Sequence, residues 1–241
     1  MTDFVIAYCG RAAVPTDFWT RWNGDPLLLA ALAGLALAVA LGYSRNARVG
    51  WAAIALLLVV FVSPLCALAS ALFSARVFHH VLLIAGVAPL LAVAFPARRM
   101  GSPPLAALVG ANAIVLWVWH APTVYAWGLA SVPAYWLMQA SLLGSSWLLW
   151  RAILRPATEP GPALFALATT IAQMGLLGAL IVFAPRPLYL VHLASTAAWG
   201  LTPLADQQLA GLLMWVPALL PYLAAGLRLA WSSMRPFGHA R

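Results

Sequence analysis

The stretch ALFALATTIAQMGLLGALIVF, residues 163–183, decides the fold class of this chain. It contains no charged residue, and it has about the 20 apolar residues that a helix needs to cross the hydrocarbon core of a bilayer. Pro185 and Pro187 follow and stop it. Because every backbone polar group must be satisfied within the segment in lipid, the stretch is predicted to be a transmembrane α-helix.

Outward from this stretch, six further apolar segments of similar length are found. They cover residues 27–43, 51–73, 78–95, 133–150 and 209–231, and one that follows Pro103-Pro104 and ends near Trp119. Pro64 predicts a kink in the segment 51–73. The predicted fold is therefore all-α, a polytopic bundle of about seven transmembrane helices over residues 27–232. Residues 1–26 are predicted to be an extracytoplasmic N-terminal segment, and residues 233–241 a cytoplasmic tail.

The composition supports the same class of protein. The chain of 241 residues is 64% hydrophobic and 7% charged, with a mean hydropathy of +0.94, whereas soluble domains carry about 25% charged residues. All 13 basic residues are arginine, and the net charge is +8. In a membrane protein such charges set the orientation in the bilayer, so nucleic-acid binding is not predicted.

The arginines predict which end faces the cytoplasm. The loops after the first, third, fifth and seventh segments contain eight of them, namely Arg45, Arg48, Arg98, Arg99, Arg151, Arg155, Arg235 and Arg241. The opposite side contains four, namely Arg11, Arg21, Arg76 and Arg186, while Arg228 lies within the seventh segment. The positive-inside rule then places the N-terminus outside and the C-terminus in the cytoplasm.

Polar residues gather at the predicted outer ends of five segments. They are Arg76, His79, His80, His120, Gln139, Arg186, Tyr189, Asp206, Gln207 and Gln208. Ionisable groups near membrane depth are costly and suggest a functional site by default. Asp206 has two further interpretations, a carboxylate at a helix N-terminus or an ion-pair partner of Arg76 or Arg186.

Histidines of two different segments suggest a metal or haem site. His79 and His80 are adjacent and about 100° apart on a helix, so only one is expected to point into the bundle. His80 and His120 are then candidate ligands of copper, zinc or haem iron. Supplementary ligands are available in Met138, Met174, Met214, Asp206 and Cys66. The structural alternative is an interfacial histidine bonded to backbone and methionines that pack.

The remaining sequence features restrict the function. Cys66 is expected to be a small core residue, while Cys9 could pair, bind a metal or have no role. Ser-His-Asp, paired-carboxylate and H-E-x-x-H arrangements are absent from the sequence, so an enzyme is not predicted. A membrane carrier for copper or another small solute is one alternative function, and a haem-binding protein with His80 and His120 as axial ligands is another.

Four stretches in order resemble the CtaG-type cytochrome c oxidase assembly factors of bacterial membranes. The resemblance covers about residues 63–231. The stretches are FSARVFHHVLL at 73–83 with APLL at 88–91, WVWHAP at 117–122 with Tyr125, LLGALIVFAP at 176–185 with PLY at 187–189, and DQQLAGLLMWVP at 206–217.

The resemblance implies a non-enzymatic role in maturing haem–copper oxidases in the bacterial inner membrane. It implies that the protein assists copper delivery at the outer face, with oxidase subunits or other copper chaperones as partners. His80 and His120 match the family pattern, whereas Arg76 and Val77 occupy a usual His and Met, and His79 a usual Gln. Met138-Gln139 replaces a usual Glu-His pair. Met214 and Tyr189 lie within the matching stretches.

Overall fold

The computed structural model describes residues 8–96, 103–156 and 158–234, and over these residues the protein is helical without strands. The α-helices are α1 Pro26–Ala40, α2 Ala47–Leu57, α3 Leu65–Ala71, α4 Phe73–Val81, α5 Ala88–Ala94, α6 Leu105–His120, α7 Pro122–Ala130, α8 Val132–Ile153, α9 Pro160–Phe183 and α10 Pro203–Met234. The predicted all-helical fold is confirmed. Arg98, Arg99, Arg235 and Arg241, which entered the orientation argument, lie outside the described residues.

Three helical stretches are long and apolar enough to cross a membrane. They are Phe73–Ala94, which joins α4 to α5, and the helices Pro160–Phe183 and Pro203–Met234. Two bent pairs, α2 with α3 and α6 with α7, raise the number to five if each pair is one span. This apolar helical character is compatible with a membrane protein. The count of about seven spans and the orientation of the termini remain predictions.

Prolines and π-helical turns set the helix boundaries. The kink predicted at Pro64 is present. A π-helical stretch, Leu58–Val62, follows α2, and the chain bends by 43° between its end and α3. The predicted segment 78–95 begins earlier, at Phe73, and contains a π-helical stretch at Leu82–Val87. Irregular turns of this kind leave backbone carbonyls open to side chains. The Trp150 indole N–H donates to the Ile84 carbonyl there, at 3.0 Å.

Two glycines let α9 and α10 approach closely. A Cβ added at Gly211 would lie 2.6 Å from the Gly178 carbonyl oxygen, and one added at Gly178 would lie 3.0 Å from the Gly211 carbonyl oxygen. Small residues permit this backbone-to-backbone packing between apolar helices. The contact holds the start of α10 against the end of α9, which positions the loop between them.

That loop and the N-terminal segment cover one end of the bundle. A disulfide joins Cys9 to Cys66 in α3. The Trp199 indole of the loop donates to the Ala13 carbonyl at 2.9 Å, and the Asn23 amide donates to the Phe61 carbonyl at 3.0 Å. The covered end contains the start of α4, the end of α6 and the start of α10. Polar side chains at these helix ends are thereby shielded from water.

Candidate functional site

The helix α4 has polar side chains on more than one of its faces, all inside the protein. Eight of its nine side chains are buried, all except Phe78, with Arg76 and His79 at 0% and His80 at 3% exposure. The site therefore forms around α4, and α6, α8, α10 and the α9–α10 loop supply the remaining groups. The prediction that only one of the adjacent histidines points inward is wrong, because α4 is surrounded by neighbours rather than lying at the edge of the bundle.

His80 and His120 come together from α4 and α6. Their ring centroids are 6.2 Å apart with an interplanar angle of 78°, and both residues are buried. The His120 Nδ1 lies 2.7 Å from the Leu116 carbonyl oxygen. This contact makes Nδ1 the protonated nitrogen, so Nε2 keeps its lone pair. Carbonyl contacts of this kind orient metal-binding histidines.

Gln139 from α8 occupies the next position beside His80. Its amide nitrogen lies 3.3 Å from His80 Nε2, whereas its amide oxygen is buried without a hydrogen-bond partner among the described residues. An acceptor buried in this way costs about 1–3 kcal/mol. In the tautomer with Nε2 unprotonated, His80 accepts this hydrogen bond, and an ion at that nitrogen would have to displace the Gln139 amide.

His79 lies on a different side of α4. Its ring makes an edge-to-face contact with Phe61, at a centroid distance of 5.2 Å, and its centroid is 5.6 Å from that of His80. Neither ring nitrogen has a hydrogen-bond partner among the described residues. His79 is therefore buried against an aromatic ring, and its centroid is nearer to that of His80 than the His120 centroid is.

Arg76 is a fully buried cation within this cluster. Its guanidinium carbon lies 5.3 Å from the centroid of the Tyr135 ring, and Nη2 lies 3.9 Å from Cys9 Sγ. Among the described residues, Nε and Nη1 have no hydrogen-bond partner, and no carboxylate lies within 4.0 Å of the group. Burying an unpaired cation is expensive, so the surrounding fold must stabilise it. The orientation argument treated Arg76 as a loop residue, which the structure corrects.

Asp206 of α10 acts as a cap for α4. Its carboxylate accepts hydrogen bonds from the backbone N–H groups of Phe73, at 2.7 Å, and Ser74, at 3.1 Å, and from the Ser74 hydroxyl. These donors belong to the first turn of α4, where backbone N–H groups lack intrahelical partners. The carboxylate is thus committed to a helix N-terminus on another helix, and it forms no ion pair with Arg76 or Arg186 among the described contacts.

Four other predicted residues shape the surroundings. The Gln207 amide accepts from the Leu188 N–H at 2.6 Å and donates to the Ile181 carbonyl at 3.1 Å, which fixes the loop after α9. The Tyr189 hydroxyl donates to the His120 carbonyl at 2.8 Å. Met214 packs against Gly178, and the Arg186 side chain is exposed. Of these contacts, only the hydrogen bond of Tyr189 reaches one of the paired histidines, and it is made to the backbone carbonyl of His120 and not to the ring.

His192 was not identified from the sequence. It lies in the α9–α10 loop, is 2% exposed, and its Nε2 is 2.8 Å from the Tyr125 hydroxyl. Burial, and next the positive charge of Arg76, lower the pKa of His192 to about 3, against the opposing effect of backbone carbonyls of Ala71 and Ser70. A single histidine in a loop shows no helical periodicity, so its burial could be found only from the tertiary fold.

The donors that could hold a metal are few. No group of three or more His, Cys, Asp and Glu side chains converges anywhere in the part of the chain that the structure describes. Cys66, considered as a supplementary ligand, is bonded to Cys9, and Asp206 is engaged by α4. The imidazoles of His80 and His120 remain as the candidate pair from two helices, which is fewer than the three or four protein ligands of a zinc site.

The chain was also compared with known protein families, curated proteins and solved structures. A family model described as "Cytochrome c oxidase caa3 assembly factor (Caa3_CtaG)" matches residues 47–236, from the start of α2 to the end of α10. No curated protein and no solved structure matched the chain.

Proposed function

Because the chain belongs to the Caa3_CtaG family of cytochrome c oxidase caa3 assembly factors, we propose that it assists copper delivery to the oxidase, and that His80 and His120 carry the ion. Copper is cargo in this proposal, taken up and passed on. The observation that supports it is the burial of two imidazoles from separate helices at a centroid distance of 6.2 Å. His120 additionally has its Nε2 lone pair available, because Nδ1 faces the Leu116 carbonyl.

The remaining groups favour release over tight retention. Imidazole nitrogens bind Cu(I), and two such ligands leave room for a donor of the recipient protein. Arg76 lies one helical turn before His80 on α4, and its charge opposes a second cation in the same low-dielectric region. Gln139 competes for the His80 lone pair. A carrier that gives up its ion needs such competing interactions.

The covered end of the bundle is proposed to face the outside of the bacterial inner membrane. The Cys9–Cys66 disulfide lies at the same end as His80 and His120, and disulfides persist in oxidising compartments such as the periplasm. The arginine distribution predicts the same orientation. Oxidase subunits or other copper chaperones are then the proposed partners, since the ion has to leave on that side.

The decisive experiment uses a deletion strain. Oxidase activity and copper per oxidase haem are measured in its membranes after complementation with wild type, with His80→Ala/His120→Ala, and with Asn112→Ala. The last variant is a matched control, because Asn112 is a buried polar residue of α6 that contacts Ser146 rather than the histidines. We expect wild type and Asn112→Ala to restore both quantities, and the double variant to restore neither.

Two outcomes would count against the proposal in different ways. Full rescue by the double variant would remove the two-histidine site and leave the assembly role. Unchanged activity and copper in the deletion strain would contradict the assembly role itself. Membrane level of each variant, measured by immunoblot, separates lost function from lost protein.

A binding measurement tests the part assigned to Arg76. Purified protein is titrated with Cu(I) against a chelator, and Arg76→Gln is expected to bind about tenfold more tightly than wild type, because one nearby positive charge is removed. His80→Ala/His120→Ala is expected to lose binding. Equal affinity of Arg76→Gln and wild type would refute the electrostatic role, and a Soret band in the purified protein would favour haem as the group held instead.

A further inference from the structure

A large cavity lies at the end of the bundle opposite the histidines. Its volume is about 1240 Å³, and it is open on one side and lined by the ends of α5, α8 and α10, the start of α9 and the turn between α1 and α2. It shares no residue with the His80–His120 site. The copper proposal therefore leaves this cavity without a role.

Arginines are the charged residues among the described residues that line the cavity. Four arginines line it, namely Arg45, Arg151, Arg155 and Arg228, and none of the described lining residues is Asp or Glu. The Arg45 and Arg228 side chains are exposed. Arg151 lies over the Trp147 ring, at 4.3 Å, and among the described residues its buried Nε has no hydrogen-bond partner. Guanidinium groups match the oxygens of a phosphate group in geometry and charge.

The rest of the lining is apolar. Side chains of Val93, Phe95, Ile153 and Leu229 form the wall beside the arginines. A free phosphate would gain nothing from this wall, whereas a phospholipid can place its headgroup on the arginines and its glycerol and acyl carbons on the wall. Basic pockets between membrane helices bind anionic headgroups for this reason.

We propose that this cavity is a binding site for a phosphate-bearing anion, and specifically for the headgroup of an anionic phospholipid. The arginines come from four separate places in the chain, the α1–α2 turn, α8, the residues after α8, and α10. A bound phosphodiester would therefore hold those elements together. The site adds a lipid requirement to a protein whose proposed function concerns the other end of the bundle.

The test measures lipid binding directly. Full-length protein in detergent is incubated with phosphatidylglycerol, phosphatidylcholine or inorganic phosphate, and adducts are counted by native mass spectrometry. Each arginine near a phosphate contributes about fivefold to affinity, so Arg45→Gln/Arg228→Gln is expected to weaken phosphatidylglycerol binding about 25-fold. The control, Arg11→Gln/Arg21→Gln, removes the same charge from the N-terminal segment and is expected to bind as wild type does.

The outcomes separate the sources of the phosphate group. Selective loss in the Arg45/Arg228 variant, with weak phosphatidylcholine binding throughout, supports the proposal. Equal binding by both double variants overturns it. Displacement of phosphatidylglycerol by millimolar inorganic phosphate overturns the lipid assignment and gives the site to free phosphate. Oxidase activity is not part of the readout, so failure here is distinguishable from failure of the copper proposal.

Discussion

Replacing Asp206 is expected to be the most damaging single change at the covered end. In Asp206→Ala the backbone N–H groups of Phe73 and Ser74 lose their acceptor, while the buried site excludes water. A buried donor without a partner costs roughly 1–3 kcal/mol, and a carboxylate at a helix N-terminus contributes up to ~2 kcal/mol. Two unpaired donors and the lost charge together predict a loss of roughly 3–5 kcal/mol in the free energy of unfolding.

The less severe variant Asp206→Asn tests the expected loss in the free energy of unfolding. Its side-chain oxygen can still accept one hydrogen bond, so the expected loss is roughly 1–2 kcal/mol, from the missing charge and the second acceptor. Asp17→Asn is the control, because Asp17 forms a partly exposed ion pair with Arg21 at 3.3 Å, and such pairs contribute about 0–1 kcal/mol.

Thermal unfolding of the purified protein in detergent measures the three variants side by side. The expected order of melting temperature is wild type and Asp17→Asn highest, then Asp206→Asn, then Asp206→Ala. The reasoning is refuted if Asp206→Ala melts with Asp17→Asn, since the two buried N–H groups would then have found other partners. A stable Asp206→Ala that lost copper binding would assign the carboxylate to the ion instead.

Three further perturbations test the loop, the disulfide and the helix contact. Acid is expected to destabilise the protein through His192, whose pKa falls from 6.5 to about 3 in the buried site. The stability that it contributes is complete above pH 6.5 and decreases as the pH falls toward 3, by roughly 2 kcal/mol at pH 5, measured as a lower melting temperature. Opening the Cys9–Cys66 bridge, which spans a sequence separation of 57, is expected to cost about 4 kcal/mol in the Cys9→Ser/Cys66→Ser variant. Gly211→Ala places a Cβ 2.6 Å from the Gly178 carbonyl oxygen and is expected to cost about 1–3 kcal/mol in thermal unfolding.

Each of these has its own control. The slope of melting temperature between pH 6.5 and 5 is expected to flatten in His192→Gln, and an unchanged slope would assign the effect to another group. Wild type with reductant is expected to melt with the double serine variant. Gly144→Ala meets no atom within 4 Å, so a loss equal to that of Gly211→Ala would contradict the close-contact argument.

The fold class was predictable because lipid leaves the backbone few choices. Long uncharged stretches such as 163–183 become helices, and the kink at Pro64 follows from its missing N–H. The number of spans was harder to predict. The chain bends by 78° between α6 and α7, near Ala121 and Pro122, so one apolar run can end as a bent pair. The hydropathy of the sequence detects an apolar run but does not show that the helix changes direction within it.

The candidate site was predictable in position and less so in detail. The predicted topology placed His80 and His120 at helix ends on the same face of the membrane. Helix ends on one face of a bundle lie near one another, so the two histidines were expected in the same region. The burial of His79 depends on how many neighbours α4 has, which periodicity in α4 cannot reveal. The role of Asp206 depends on how α4 and α10 are positioned along each other, which is a property of the tertiary structure. The pairing of Cys9 with Cys66 depends on the N-terminal segment folding back.

The Cys9–Cys66 bridge has a consequence for how the chain is made. It joins the N-terminal segment to α3, so it can close only after both elements have emerged and reached an environment that oxidises thiols. In the proposed orientation the covered end faces the oxidising compartment, so a chain inserted the other way round would keep both thiols reduced. The bridge is therefore a covalent record of correct insertion, which a shift in gel mobility under thiol-blocking conditions would detect in cells, molecule by molecule, before any assay of copper or oxidase.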